Sequence, residues 1–309
     1  MLYLRTALRG LICALVLLAT APLVMAAGVS QKSFASPEEA VSALVDAMKA
    51  GDESALRAIL GPHSGKLIDS GDPVQDQQNR DRFLGAYGVV NKIELQGNAK
   101  AVLVVGKDEW PMPIPLVKSG DSWHFDAQQG KQEILNRRIG RNELAAVQVC
   151  LAIVDAEHDY VAQNLHSAGI PQYAAKLVST PGKRDGLYWE TTVDEQQSPL
   201  GPLLATAASE GYKRMPSGTL TPYHGYYYKI LTKQGKDAPG GAYDYLVKGK
   251  MLGGFGLIAY PARYRASGIM SFIVNQNGVV YEKDLGRNTA SIAAKMTTFN
   301  PDSSWTKYH

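Results

Sequence analysis

The sequence predicts an α+β fold, with N-terminal helices plus an antiparallel meander, then a long central spine helix packed against a C-terminal antiparallel sheet. Apolar residues recur at three- and four-residue spacing in residues 37–60 and 137–163, which is the period of an α-helix. Elsewhere apolar and polar residues alternate with a period of two between turn-forming residues, as in paired strands. The length of 309 residues favours two domains, and we expect their boundary near residue 130.

The first 27 residues have the pattern of a cleaved export signal. Arg5 and Arg9 precede the apolar run LICALVLLATAPLVMA, and small residues follow at Ala26 and Ala27. The alternative is a retained membrane anchor, but Pro22 interrupts the run, which is shorter than the ~20 residues that a span needs. We therefore expect a periplasmic or secreted protein with no transmembrane segment after cleavage.

The composition argues against several classes of function. The signal removes two of the 32 basic residues and none of the 29 acidic ones, which lowers the net charge from plus three to plus one. A nearly neutral chain has no electrostatic preference for nucleic acid or anionic membrane. Because Cys13 leaves with the signal, Cys150 is alone and no internal disulfide is expected. Its apolar neighbours predict an inert buried thiol.

Capping residues predict how the first domain, residues 28–130, begins. Ser36 and Glu39 form a capping box, Gly51 ends the first helix, and Asp52 caps a second one. A third helix is expected at 77–87, and the strands of the meander follow in VVNKIEL, AKAVLVVG, PMPIPLVK and SWHFDA. The helix-Gly-Asp-helix opening resembles the start of the cone-shaped nuclear-transport-factor-like domains.

Polar residues of this domain do not form a recognisable catalytic motif. Asp69 and Asp72 lie in a Gly-rich loop, where we expect solvated carboxylates, and His124 is expected to point outward from its strand. The remaining polar or aromatic candidates are His63, Asp108, Glu109 and Trp110. Acid–base chemistry would need burial or a partner to move their pKa values, and the sequence shows neither.

The second domain, residues 131–309, is predicted to be organised around the spine helix. Asn142 is the expected N-cap, and the helix is apolar nearly all round, with Leu144, Val147, Leu151 and Val154 on its main stripe. The sequence places Arg137, Arg138 and Arg141 at its start, either as a solvated or carboxylate-paired cluster or as an anion site. Metal binding by Asp155, Glu157, His158 and Asp159 does not match a zinc spacing.

The last part of the chain predicts short helices and an antiparallel sheet. Helices are expected in QYAAKLVST, around 203–211 and at 288–296. A strand begins near Tyr226, with Tyr226 and Tyr228 on one face and Tyr227 on the other, and a second strand ends at Pro261. Asn277-Gly278 joins two β-rich runs, which predicts a hairpin.

Five sequence segments resemble an uncharacterised exported bacterial family, domain of unknown function 2950. They are RRIGRNEL, PGKRDGLYW, QSPLGPL, YHGYYYKILTKQG and GIMSFIVNQNGVVYEKDLG, and the match runs from about residue 123 to about residue 285. The resemblance implies a periplasmic or secreted protein of Gram-negative type, associated genetically with another envelope protein. It implies no activity and no catalytic residues.

The C-terminal half also resembles the globular heads of type II secretion pseudopilins. The shared features are a spine helix, a Gly-Tyr-Tyr strand, a second strand like GFGLIAYP and a hairpin. In this chain the spine lies in the middle and carries Asp155 and Glu157, which argues against filament assembly through an N-terminal apolar helix.

Two functions from different classes follow. The first is a non-catalytic envelope module that binds a protein or cell-wall component, without a cofactor, through exposed tyrosines around a Gly-rich loop: Tyr223, Tyr226, Tyr228, Tyr243 and Tyr245. The pattern is equally consistent with half of the loop tyrosines in the core and the rest scattered over the surface. The alternative is an envelope hydrolase in which His224 acts with Asp237, Asp244 or Asp185, although the sequence lacks Gly-x-Ser-x-Gly and His-Glu-x-x-His motifs. Calcium binding in the loop from Asp237 to Asp244 is a further hypothesis, without an EF-hand pattern.

Overall fold

The computed structural model describes residues 31–168, 170–192, 194–212 and 221–309. The predicted export signal, residues 1–27, lies outside these residues. The described chain contains seven α-helices and several antiparallel sheets, which confirms the α+β class. Within these ranges, we find no helix with both the length and the apolar character needed to cross a membrane.

The N-terminal unit, residues 31–130, packs helices against one face of an antiparallel sheet. The strand order is β1-β2-β4-β5, and β3 also pairs with β2. Apolar side chains from the helices and from β2 share one core. The elements are α1 (Pro37–Ala50), α2 (Glu53–Leu60), α3 (Gly65–Ile68), α4 (Pro73–Val89), β1 (Asn91–Leu95), β2 (Lys100–Val105), β3 (Trp110–Pro111), β4 (Leu116–Ser119) and β5 (Ser122–Phe125).

The predicted caps of the first two helices are confirmed. Ser36 Oγ accepts a hydrogen bond from the Glu39 amide at 3.2 Å, and Glu39 Oε2 accepts from the Ala35 amide at 3.1 Å. Asp52 accepts from an amide in the first turn of α2, and Gly51 takes the left-handed conformation with φ of 65°. These signals are local, so the sequence alone was sufficient to predict them.

The fourth helix, α4, begins four residues earlier than the helix predicted from residue 77. Asp72 supplies the cap, because its Oδ1 accepts from the Gln75 amide at 3.1 Å, and Pro73 occupies the first helical position. The short helix α3 was not predicted, and the predicted strand PMPIPLVK is divided between β3 and β4.

The spine helix α5 (Lys131–Ala168) has 38 residues and begins six residues before the predicted start. Gly130 fixes this start. Its φ is 73°, and a Cβ there would lie 2.0 Å from the carbonyl oxygen of Pro113, so only glycine fits.

The expectation that Asn142 caps the spine helix is wrong. Asn142 lies in the interior of α5 and is buried. Its amide exchanges hydrogen bonds of 2.8 and 3.0 Å with the Gln75 side chain, and Nδ2 also donates to the Ser267 carbonyl at 2.8 Å. The residue therefore joins the N-terminal unit, the spine helix and the C-terminal sheet.

The spine helix also has an exposed face, contrary to the prediction. Val147, Ile153 and Val154 are buried, but Leu144 is 60% exposed. The C-terminal sheet covers only one side of α5, so a side chain on the opposite side meets solvent even when it is apolar.

The segment after the spine helix is mostly irregular. The helix predicted in QYAAKLVST is wrong, because Tyr173 and Val178 lie in isolated bridges with Met251 and Tyr188. The helix expected near residue 203 is confirmed as α6 (Gly201–Ser209). Backbone pairing to distant segments outweighs the local helical pattern in the first case.

The C-terminal part is a five-stranded antiparallel sheet of order β15-β13-β12-β11-β6 with two small accessory sheets. The predicted hairpin is confirmed as β12 and β13. The elements are β6 (Tyr226–Leu231), β7 (Lys233–Gln234), β8 (Tyr243–Asp244), β9 (Leu246–Val247), β10 (Lys250–Met251), β11 (Gly256–Pro261), β12 (Met270–Asn275), β13 (Tyr281–Asp284), a 3₁₀ turn (Gly286–Asn288), α7 (Thr289–Lys295), β14 (Thr298–Phe299) and β15 (Thr306–Lys307).

Both faces of the central strand β11 are covered. Leu257 and Ala259 belong to the core shared with α5, whereas Ile258 and Tyr260 belong to the core shared with α7. Alternate residues of a strand point to opposite faces, which explains why all six residues of β11 are buried.

Candidate functional site

Three of the five tyrosines predicted to bind a partner lie in the core. Tyr226 and Tyr245 are fully buried, and Tyr228 is 7% exposed. Tyr226 donates to the Met270 carbonyl at 2.9 Å, and Tyr245 donates to Gln234 Oε1 at 2.9 Å. Their hydroxyls therefore have partners inside the protein. The expectation that these three tyrosines form an exposed surface is wrong.

The other two tyrosines have some exposed surface. Tyr243 lies on β8 and is 40% exposed, and its ring packs edge-on against Tyr245 at 5.4 Å. Tyr223 is half-buried, and its ring centroid lies 4.9 Å from that of Tyr212 and 4.1 Å from that of His224. Tyr243 and Tyr223 therefore have different aromatic neighbours.

The acid beside His224 is Glu210, and not one of the three aspartates predicted from the sequence. His224 Nε2 lies 3.4 Å from Glu210 Oε2, and the His224 backbone has a φ of 50°. Asp237 instead accepts a hydrogen bond from Asn300 at 2.9 Å, and Asp244 pairs with Lys233 at 3.4 Å. The predicted pairing of His224 with either aspartate is therefore absent among the contacts of the described residues.

Asp185, the third acid considered for His224, also has other partners. Its carboxylate pairs with Lys176 at 2.8 Å and accepts from the Thr180 amide and hydroxyl. These interactions hold the pKa of Asp185 well below its ordinary value. The Asp185 carboxylate therefore binds residues of its own loop.

Next to His224, a buried aspartate joins the N-terminal unit to the sheet. Asp72, expected to be solvated, is fully buried. Its Oδ2 accepts from the Tyr212 hydroxyl at 2.9 Å and from the Gly225 amide at 2.8 Å. Tyr212 in turn accepts from the His224 amide at 3.3 Å. The cluster is a hydrogen-bonded junction between distant parts of the chain.

The tyrosines near His224 are poor nucleophiles. Burial raises the pKa of Tyr212 far above its ordinary value, and the nearby Asp72 carboxylate raises it further. Burial and Glu210 do the same for Tyr223. Both hydroxyls therefore stay protonated at neutral pH, which makes them weak nucleophiles.

A cavity of about 650 Å³ lies between the N-terminal unit and the first turns of α5. On the side of the N-terminal unit, its wall comes from α1 to α4 and the β2–β3 region. Its wall is largely apolar and is formed by Met48, Leu56, Leu60, Leu67, Ile68, Phe83, Ala86, Val105, Trp110, Met112, Ile114 and Ile134. Ligand sites in proteins have this size and this apolar character.

A buried ion pair lies in the cavity wall. Arg138 donates to the carbonyls of Lys66 and Leu67 at 2.7 and 2.6 Å, and its Nη2 lies 4.0 Å from Asp76 Oδ1. Asp76 Oδ2 accepts from the Ser70 amide at 2.8 Å, whereas the buried Oδ1 has no hydrogen-bond donor among the described residues. Burial raises the pKa of Asp76 and lowers that of Arg138.

Arginines dominate the polar part of the lining. Arg82, Arg137 and Arg141 are exposed, Arg80 is half-buried, and Arg138 is buried. We call the first three the rim arginines. The other charged lining residues are Asp76 and Asp108.

The sequence pattern showed the arginine cluster but not the cavity beneath it. Arg137, Arg138 and Arg141 were recognised from their spacing, and Arg138 does pair with a carboxylate. The cavity wall draws on α1 to α4, the β2–β3 region and α5, which are far apart in the chain. The Asp72-Pro73 pair matches a helix-start signal that could have identified the cap, although not the Tyr212 and Gly225 contacts.

No group of three or more His, Cys, Asp or Glu side chains within the described ranges is arranged to hold a metal ion. In the spine helix, the buried Glu157 accepts from the Ala174 amide at 2.8 Å, whereas His158 contacts the Gln276 carbonyl at 3.1 Å. The two side chains therefore have separate partners. In the Gly-rich loop, Asp237 and Asp244 also have separate partners, as described above.

Comparison with known proteins places the chain in a family. The family model described as "Protein of unknown function (DUF2950)" matches residues 31–308, and the chain therefore belongs to this family. Searches of curated proteins and of solved structures found no match.

Proposed function

We propose that this member of the DUF2950 family is a non-catalytic binding protein of the bacterial envelope, and that its N-terminal cavity binds a small molecule with an apolar body. The observation that carries the proposal is the cavity of about 650 Å³ with its apolar wall. Sites of roughly 300–1,000 Å³ are large enough to bury most of a drug-sized ligand.

The surroundings of His224 support binding over hydrolysis. Its acidic neighbour, Glu210, lies at 3.4 Å, and the adjacent tyrosines are held protonated by burial. Hydrolysis would need a nucleophile or an activated water aligned with a base, and the tyrosines do not supply the first. The hydrogen bonds among Asp72, Tyr212 and Gly225 join distant parts of the chain, and this structural role explains them without a catalytic one.

A cavity-filling substitution tests the proposal. Ala86 lines the cavity from α4, and Ala86→Leu places a larger side chain in that space. Binding of the neutral fluorescent dye Nile red should weaken by about tenfold or more, equivalent to ~1.4 kcal/mol of lost contacts. Ala205→Leu, on the exposed side of α6, is the matched control and should bind the dye like the wild type.

The proposal fails if wild-type protein does not bind Nile red. It also fails if Ala86→Leu, shown by circular dichroism to be folded, binds the dye as tightly as the control variant. Met112→Trp is a second filling variant from the sheet side of the cavity, in case Ala86→Leu does not fold.

Export is the second part of the proposal. It is supported by Arg5 and Arg9 before the apolar run and by the small residues at Ala26 and Ala27. Expression of the full sequence in a Gram-negative host, followed by N-terminal sequencing of the periplasmic and medium fractions, should show a mature chain that begins near residue 27. An uncleaved chain in the cytoplasmic fraction would contradict this part.

A protein partner is a second candidate function, favoured by one surface. Tyr243, Leu246 and Val247 are 40%, 38% and 46% exposed on β8 and β9, two short strands that follow one another in the chain. Exposed apolar groups that lie together often mark contact sites. Crosslinking in intact envelope should capture a stoichiometric partner with wild type, and a Tyr243→Ser, Leu246→Ser double variant should lose it. Equal capture by both proteins would exclude this surface.

A further inference from the structure

The rim arginines carry positive charge at the cavity with few local counter-charges. Arg82 projects from α4, and Arg137 and Arg141 lie one turn apart on α5. Arg137 pairs with Glu133 and its guanidinium lies 5.8 Å from the Trp110 ring centroid. Among the described residues, neither Arg82 nor Arg141 forms an ion pair with a carboxylate.

The rim arginines are close enough to repel one another. The pKa of Arg141 is lowered by burial first, and then by the charges of Arg82 and Arg137. Like charges held together disfavour the charged form unless an anion compensates them. An acidic group at the rim would relieve this repulsion and accept hydrogen bonds from the guanidinium forks.

The remaining charged groups of the lining leave this positive excess in place. Asp76 pairs with the buried Arg138, so it does not balance the charge of the rim arginines. Asp108 is the other acidic residue of the lining, whereas Arg80 and the three rim arginines are basic. Apart from the buried Asp76–Arg138 pair, most of the remaining lining residues are apolar.

We propose that the ligand of this cavity is an amphipathic anion, with its alkyl or aromatic body inside the cavity and its acidic headgroup on Arg82 and Arg141. This inference rests on the proposed binding function. The carboxylate and phosphate headgroups share the required chemistry, because both accept two parallel hydrogen bonds from one guanidinium. A ligand of this class fits both the apolar wall and the positive rim.

Isothermal titration with matched probes tests the inference. Dodecanoate, dodecanol and dodecyltrimethylammonium have alkyl chains of similar length and differ in headgroup charge. The two ionic probes are used below their micellar concentrations, and dodecanol is used below its solubility limit. Dodecanoate should bind about tenfold more tightly than dodecanol, as expected for charge-assisted hydrogen bonds at an exposed rim. The ammonium probe should bind most weakly. Dodecyl phosphate, compared with dodecanoate, shows which headgroup the rim prefers.

Substitutions assign the effect to the rim. Arg82→Gln and Arg141→Gln should lower dodecanoate affinity towards that of dodecanol and leave dodecanol affinity unchanged. Arg287→Gln removes an exposed arginine that does not line the cavity and should change neither affinity. Raising the salt concentration should weaken dodecanoate binding more than dodecanol binding, because exposed charges are screened.

The outcomes separate the two proposals. Equal affinity for dodecanoate and dodecanol, or tighter binding of the ammonium probe, would overturn the anion inference while the binding cavity stands. Dodecanoate affinity unchanged in the Arg82→Gln, Arg141→Gln double variant would also overturn it. If neither dodecanoate nor dodecanol binds the wild type, and Nile red does not bind either, the proposed function itself fails.

Discussion

Replacing Asp72 by alanine is expected to lower the free energy of unfolding by about 3–5 kcal/mol. Loss of a helix cap costs ~1 kcal/mol, which applies to the bond from the Gln75 amide at 3.1 Å. The bonds from Tyr212 and Gly225, at 2.9 and 2.8 Å, end on a fully buried carboxylate. Hydrogen bonds to charged groups contribute about 1.5–3 kcal/mol each, and part of this is recovered by relaxation around the smaller side chain.

Asp52→Ala is the matched control for the capping contribution. Asp52 caps α2 through a bond of 2.9 Å to the Ala55 amide and is exposed. Its loss should cost only ~1 kcal/mol. Equilibrium urea unfolding at neutral pH measures both variants. The difference between them isolates the bonds that Asp72 makes to Tyr212 and Gly225.

A double-mutant cycle completes the test. Tyr212→Phe removes the hydroxyl that donates to Asp72, and the pair should show a coupling energy of about 1 kcal/mol or more, as expected for residues in one network. Equal destabilisation by Asp72→Ala and Asp52→Ala, or no coupling to Tyr212→Phe, would refute the role of Asp72 as a junction.

Three further predictions concern two buried groups and a pair of glycines. Burial raises the pKa of Glu157 from 4.5 to about 8, so folding favours its protonated form. The free energy of unfolding should therefore fall as the pH rises between these two values. Urea unfolding at several pH values should show this fall in the wild type and not in Glu157→Gln. Gly130→Ala should lower the melting temperature because its Cβ would meet Pro113, whereas Gly140→Ala, with open space around it in α5, should raise stability by up to about 1 kcal/mol. The Cys150 thiol is fully buried with a raised pKa, so Ellman's reagent should label it only after unfolding; rapid labelling of native protein would contradict this.

The features that the sequence predicted correctly depend on neighbours in the chain. Ser36 and Asp52 cap helices through amides three residues away, and the hairpin of β12 and β13 follows from Asn277-Gly278 between β-rich runs. In these cases residue type and spacing fix the local geometry, so no knowledge of tertiary contacts is needed.

The features that it missed depend on distant contacts. Asn142 has the residue type and position of a cap, but its partners Gln75 and Ser267 lie 67 and 125 residues away. Strand alternation correctly placed Tyr226 and Tyr228 on one face, yet it could not show that α5 covers that face. The burial of Asp72 and the cavity also depend on contacts between residues that are far apart in the chain.

Fluorescence quenching shows whether a ligand occupies the cavity beside the N-terminal unit. Trp110 lines the cavity and is one of four tryptophans, so a dodecanoate with bromine on its alkyl chain should quench its emission. Saturable quenching that disappears in Trp110→Phe, and persists in Trp305→Phe, is the predicted result. Quenching that is unchanged by Trp110→Phe would contradict occupancy of the cavity.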